Sequence, residues 1–134
     1  MLLGPAATAE AQRRRSTTAC DPTTSTSFTF GLTGGNLRPT GFRIAPTGAI
    51  ASVPDTAAAR SITPAAVSAL ARLAWSQEFT VLPEAPTRPT RNPDAVREFI
   101  DVVSACGRKH VEYASGEGAR AFRELYDLLV ALAH

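Results

Sequence analysis

Residues 28–44 read FTFGLTGGNLRPTGFRI, and the spacing of apolar side chains in this stretch decides the class of fold. Phe28, Phe30 and Leu32 alternate with Thr29, Gly31 and Thr33, the period of two that turns one face of a strand to a core and the other to water. Phe42 and Ile44 resume the pattern after the glycines, so two strands are expected, joined through Gly34, Gly35, Asn36, Leu37 and Arg38. Gly34 and Gly35 permit positive φ, Asn36 tolerates the left-handed region, and the Arg38-Pro39 step sets an extended exit with a long cation beside it. A connection of that length, with Leu37 and Arg38 at its tip, exceeds what a tight hairpin needs. It is either a plain link between strands or a contact surface.

Working outward, Pro46-Thr47-Gly48 spells a turn into a third short strand around Ile50. From residue 61 the period changes. Thr63 can cap a helix with Pro64 at its first position, Ile62 and Val67 form a hydrophobic staple, and Leu70, Leu73 and Ala74 extend an apolar stripe that runs on to Trp75 and Phe79. The stripe stops before Pro83. PEAPTRPTRNPD, residues 83–94, then makes a stiff, exposed loop with four prolines, a second candidate contact surface with Arg88, Arg91 and Asn92 as its polar members. Residues 96–114, VREFIDVVSACGRKHVEYA, read as a hairpin turning near Cys106-Gly107-Arg108. Its first arm is apolar on both faces, as a central strand is. In ARAFRELYDLLVALAH, residues 119–134, Phe122, Leu125, Leu129 and Leu132 define a helical face widened by Tyr126 and Val130. The order is therefore βββαββα: an α+β domain over 28–134, an antiparallel sheet with two helices packed on one face.

Composition narrows the function. With 134 residues, 44% hydrophobic, the chain fits one globular domain. Lys and Arg number 14 against 12 Asp and Glu, a net charge of +2, and apart from Arg13-Arg14-Arg15 the basic residues are scattered, so no nucleic-acid partner is expected. Residues 1–11, MLLGPAATAEA, are small and apolar and end in an A-x-A pattern, which reads as the remnant of an export signal and places the protein outside the cytoplasm, secreted or in the cell envelope. No stretch approaches the ~20 apolar residues that span a bilayer. Residues 12–27, QRRRSTTACDPTTSTS, lack apolar periodicity and read as a flexible leader. Cys20 and Cys106 are compatible with one disulfide in an oxidising compartment, worth roughly 4 kcal/mol for a loop of that length.

Catalytic signatures are sparse. His110 falls on an exposed strand and His134 at the end of the last helix, neither beside an activated nucleophile. Glu98 and Asp101, three apart on a strand, face opposite ways and form no acid–base pair. Arg120 and Arg123 with Glu124 and Asp127 are i,i+4 surface pairs. Thr33-Gly34-Gly35-Asn36 opens no helix, so it cradles no phosphate. Two cysteines and two histidines so far apart in sequence make no metal site, and no motif asks for a cofactor. If an active site exists, Asp101, His110 and Glu112 are the residues to place in it, in a concave pocket.

The succession of a strand, TGGN, a second strand, a helix ending in EFTVLP, a Pro-rich loop with NPD, the hairpin REFIDVVSACGRKHVEYA and the helix FRELYDLLVALA resembles the emfourin-like family. LTGGNLRP also resembles small exported proteins of high-GC bacteria. The family resemblance implies a non-enzymatic inhibitor of thermolysin-like metalloproteases; the protein partner is then expected at the loop at 34–38, with the loop at 83–94 as a second contact, and the chain is expected to be a monomer or weak dimer. The chain departs from the family in its two cysteines and in Asn36-Leu37-Arg38-Pro39 after the glycines. The other readings are a cell-envelope interaction module and an enzyme with its site around His110.

Overall fold

The computed structural model of the chain describes residues 22–34, 37–54, 58–84 and 96–134. The alternating stretch forms strands β1 (Ser27–Gly34) and β2 (Leu37–Ile44), followed by β3 (Ala49–Val53) and β4 (Ala58–Ser61). The later hairpin is β5 (Arg97–Ser104) and β6 (Gly107–Ala114). All six strands join one sheet in the order β4-β3-β2-β1-β5-β6, every neighbour antiparallel. Among the described residues four helices accompany it: the single turn α1 (Pro22–Ser25), α2 (Pro64–Ala74), the single turn α3 (Gln77–Thr80) and α4 (Arg120–Ala133). The architecture is the α+β sheet-and-helix arrangement that the periodicities called for.

Register explains the single core. Phe28 stands opposite Ile44 on β2 and Val102 on β5; Ile44 in turn meets Ile50, and Ile100 meets Val111. A row of partners shares one face of a sheet, so these apolar residues form a continuous surface. Val67, Leu70, Ala74 and Phe79 from α2 and α3, and Phe122, Leu125 and Leu129 from α4, close onto it. Each such side chain contributes on the order of 2 kcal/mol when fully buried. Thr63 caps α2 as expected, accepting from the Ala66 N–H at 3.1 Å with Pro64 next in line.

Four features differ from the sequence expectation. Strand β4 precedes α2, with a register irregularity between Ile50 and Ala51, and Arg60 on it donates to the Ala133 and His134 carbonyls at 2.9 and 2.6 Å. The helix expected over 61–79 breaks after Ala74: the Ser76 hydroxyl turns back to the Leu73 carbonyl at 2.7 Å, and a separate turn delivers Phe79 to the core. The end of the presumed leader belongs to the fold. Thr26 is fully buried, its hydroxyl accepts from the Trp75 indole at 3.1 Å, and the Thr23 carbonyl accepts from the Ser68 hydroxyl at 3.0 Å. These polar side chains have partners, which is what lets a segment without apolar periodicity pack. Finally, the connection expected over 34–38 is shorter: Gly34 already pairs with Leu37, leaving Gly35 and Asn36 between the strands and outside the described residues.

The sheet also depends on a close approach. Gly31 and Gly41 stand opposite each other with φ of +150° and +158°, and a Cβ on Gly31 would collide with the Thr40 carbonyl. Gly31→Ala is therefore expected to lower stability by about 3 kcal/mol in urea unfolding. Gly107 has a similar φ of +148° with nothing near its missing Cβ, so Gly107→Ala should cost only about 1 kcal/mol. Equal losses at the two positions would contradict the close-approach account.

Candidate functional site

At the end of the β1–β2 hairpin the ladder slips. Leu32 pairs with Thr40 and Gly34 with Leu37, so Arg38 and Pro39 together oppose the single residue Thr33. That is the two-against-one count of a β-bulge, and it falls where Pro39 has no N–H to give to a ladder. Arg38, Pro39 and Thr40 are exposed, and Leu32 beside them is 38% exposed. The bulge thus presents a cation and a rigid ring opposite Thr33, while Leu32 turns to the other face of the sheet. Gly34 ends β1 with φ +112°, the positive φ that its type allows.

Several groups fix the base of this hairpin. Leu32 pairs with Glu98 on β5, and both lie on the helix-covered face. The Glu98 carboxylate accepts from the Gly116 N–H and from Arg123 on α4, each at 2.6 Å, and the Tyr126 hydroxyl, also on α4, donates to the Gly31 carbonyl at 3.3 Å. Arg123 reaches Asp127 as well, at 3.1 Å, the i,i+4 pair read from sequence. Burial raises the Glu98 carboxyl's pKa, but the Gly116 N–H and the Arg123 guanidinium outweigh it and hold the group below its ordinary value. Arg123 is raised: burial opposes its charge, and Glu98 and Asp127 more than compensate. Burial, together with the neighbouring Glu98 charge, pushes the Tyr126 phenol up to about 12. The same end of the sheet holds the entry to β5, where Thr33 pairs with Arg97 and the Ser115 N–H donates to the Val96 carbonyl at 3.3 Å. Arg88, Arg91 and Asn92, in the Pro-rich segment leading to that entry, lie outside the described residues, as do Gly35 and Asn36. The side chain of Leu37 is not described either.

Asp101, His110 and Glu112, on the two arms of one hairpin, do come together. Asp101 pairs with His110 across β5 and β6 on the face opposite the helices. His110 Nε2 lies 2.7 Å from Glu112 Oε1 and its Nδ1 3.6 Å from Asp101 Oδ1. Arg97 completes the row at 3.3 Å from Glu112, and Arg108 at 3.4 Å from Asp101. The ring stacks on Phe99, 5.8 Å between centroids, and stands 39% exposed on an edge strand. Both ring nitrogens face carboxylates, and among the described residues no serine or cysteine hydrogen-bonds to the imidazole. The arrangement ties Arg97, Glu112, His110, Asp101 and Arg108 into one polar row across β5 and β6.

Among the described residues no group of three or more His, Cys, Asp and Glu is placed to hold a metal ion, and no helix is long and apolar enough to cross a membrane. Cys106, in the β5–β6 turn, is disulfide-bonded; Cys20, the other cysteine of the sequence, lies outside the described residues. Comparison with protein-family models, with curated proteins and with solved structures gives no match.

The Glu98 network sets a pH dependence. A carboxyl held below its ordinary value stabilises the fold above the unfolded pKa, near 4.3, and loses that contribution as pH falls through the folded value. Glu98→Gln should therefore cost about 2 kcal/mol at pH 7, discounted for the partial exposure of Arg123, and the gap to the parent should close in acid. At the alkaline end the parent should lose stability from pH 10 towards about 12 as Tyr126 resists ionisation in the fold, a limb that Tyr126→Phe removes. Chemical denaturation across pH measures both. Parallel profiles for parent and variants would contradict the assignment.

Proposed function

We propose that this chain is an exported, non-enzymatic binding protein that inhibits a thermolysin-like metalloprotease, with the bulged β1–β2 hairpin as its contact surface. The observation that carries the reading is the bulge at Arg38-Pro39. It gives an otherwise regular hairpin end an exposed cation and a ring that cannot enter a ladder. Bulges re-aim side chains where an edge or tip must meet something. A tip of this kind suits inhibition because its base is already fastened by Glu98, Arg123 and Tyr126, so little conformational entropy is lost on docking. In this reading Cys106 pairs with Cys20, and the disulfide suits a protein that works outside the cytoplasm. A cell-envelope interaction module would use the same surface for a different partner.

The test is a titration of a thermolysin-like protease with the full chain, following residual activity. Stoichiometric inhibition is expected. Arg38→Ala and Leu37→Ala should weaken it by about 10- to 100-fold, as central interface residues do, with the unfolding midpoint unchanged. Absence of inhibition at micromolar chain, or inhibition indifferent to both substitutions, would contradict the proposal.

A further inference from the structure

A second surface lies on the face of the sheet opposite the described helices, away from the hairpin end. Cross-strand pairing sets Ala51, Arg43, Thr29, Asp101 and His110 side by side across five strands. The small side chains of Ala51 and Thr29 flank Arg43, and the neighbouring position on β2 towards the hairpin is Gly41. The depression here measures about 430 Å³; beside Arg43 its polar lining is Ser27, Thr29, Ser52 and, on the β5 side, Asp101, and its apolar lining Ala51, Val53, Pro54 and Val103. That volume is in the range of small-molecule sites.

On this face Arg97 is held by Glu112 and Arg108 by Asp101, whereas the exposed Arg43 has no ion pair among the described residues. Among the described residues Asp101 is the nearest acid by register, two strands away at the β5 side of the depression; Arg108 reaches its Oδ2 at 3.4 Å, while its Oδ1 has no hydrogen-bond partner. An arginine set beside apolar lining presents a planar fork to a carboxylate and a surface to whatever the carboxylate carries.

We infer that this trough is a binding site for a small aliphatic monocarboxylate, its carboxylate on Arg43 and its chain on Val53 and Pro54. The Asp101 charge disfavours an anion on the β5 side, so the carboxylate sits on the β3 side, over Ala51. The occupant is a small acid and not a peptide terminus because the backbone of a sheet face is committed to its ladder. A peptide's amides would find few partners there and would lose their water. This site is independent of the inhibitor reading and uses none of its residues.

The experiment is a titration of the full, isotope-labelled chain with hexanoate, read from backbone amide shifts, with hexan-1-ol and the tripeptide acid acetyl-Ala-Val-Leu as comparisons. Expected are saturable shifts at Ala51 and Val53 with hexanoate and weaker, non-saturating ones with hexan-1-ol. Half-saturation should rise about tenfold in Arg43→Gln, with Arg43→Lys in between. Arg43 is exposed, so the variants should keep the parent spectrum elsewhere. Four results would each overturn the inference: no saturable shift with hexanoate, equal binding of hexan-1-ol, binding unchanged in Arg43→Gln, or tighter binding of the tripeptide than of hexanoate.

Discussion

Strand β1 is the element on which the rest depends, because it is paired along both edges and packed on one face. It pairs with β2 on one side and with β5 on the other, and so joins a sequence-local meander to a hairpin that comes much later in the chain. Phe28 and Phe30 sit at the floor of the core, at 0% and 1% exposure, and the helices close over them. Gly31, next in line, brings β2 close enough that no side chain fits between the two strands there. A change at Phe28 disturbs the core, while one at Gly31 disturbs the sheet. Both lie in a stretch of four residues.

From that strand outward the structure divides into a fixed part and a presented part. The fixed part includes a buried, charge-assisted network, with Glu98 bound by one backbone N–H and one arginine, and Tyr126 turned to the Gly31 carbonyl. Such networks are costly when incomplete and rigidifying when complete. Here the network lies at the base of the hairpin, the place from which any motion of the tip would be levered. The presented part is the bulge itself, together with the open sheet face where Arg43 stands. The two surfaces lie on different parts of the sheet.

Much of this was legible in the residues. Alternation at Phe28, Phe30, Phe42 and Ile44 marks the meander, and Thr63-Pro64 marks the start of α2, because both signals are local and depend on one element at a time. Asp101, His110 and Glu112 were legible as a set but not in their role, since the pairing that places His110 between two carboxylates is a matter of register. What could not be read needed partners distant in sequence. Strand β4 has no alternation of its own and exists by pairing with β3. Thr26 is buried because Trp75 is there to meet it. Arg123 was legible as the partner of Asp127, one turn away, but Glu98 is reached only across the sheet. The bulge did leave a signal, since a proline between alternating apolar residues marks a bulge or an edge as readily as a loop.

Native-state hydrogen exchange of the free chain tests most directly the claim that β1 is a rigid spine carrying a presented tip. If the account is right, ladder amides of β1 and β5 at Phe28, Phe30, Ile100 and Val102 exchange only through global unfolding, with the free energy measured by denaturant. Amides of Arg38 and Thr40 open far more easily. If β1 amides exchanged through local openings while those of α2 and α4 stayed protected, the helices and not β1 would be holding the fold, and the account would be wrong at its base.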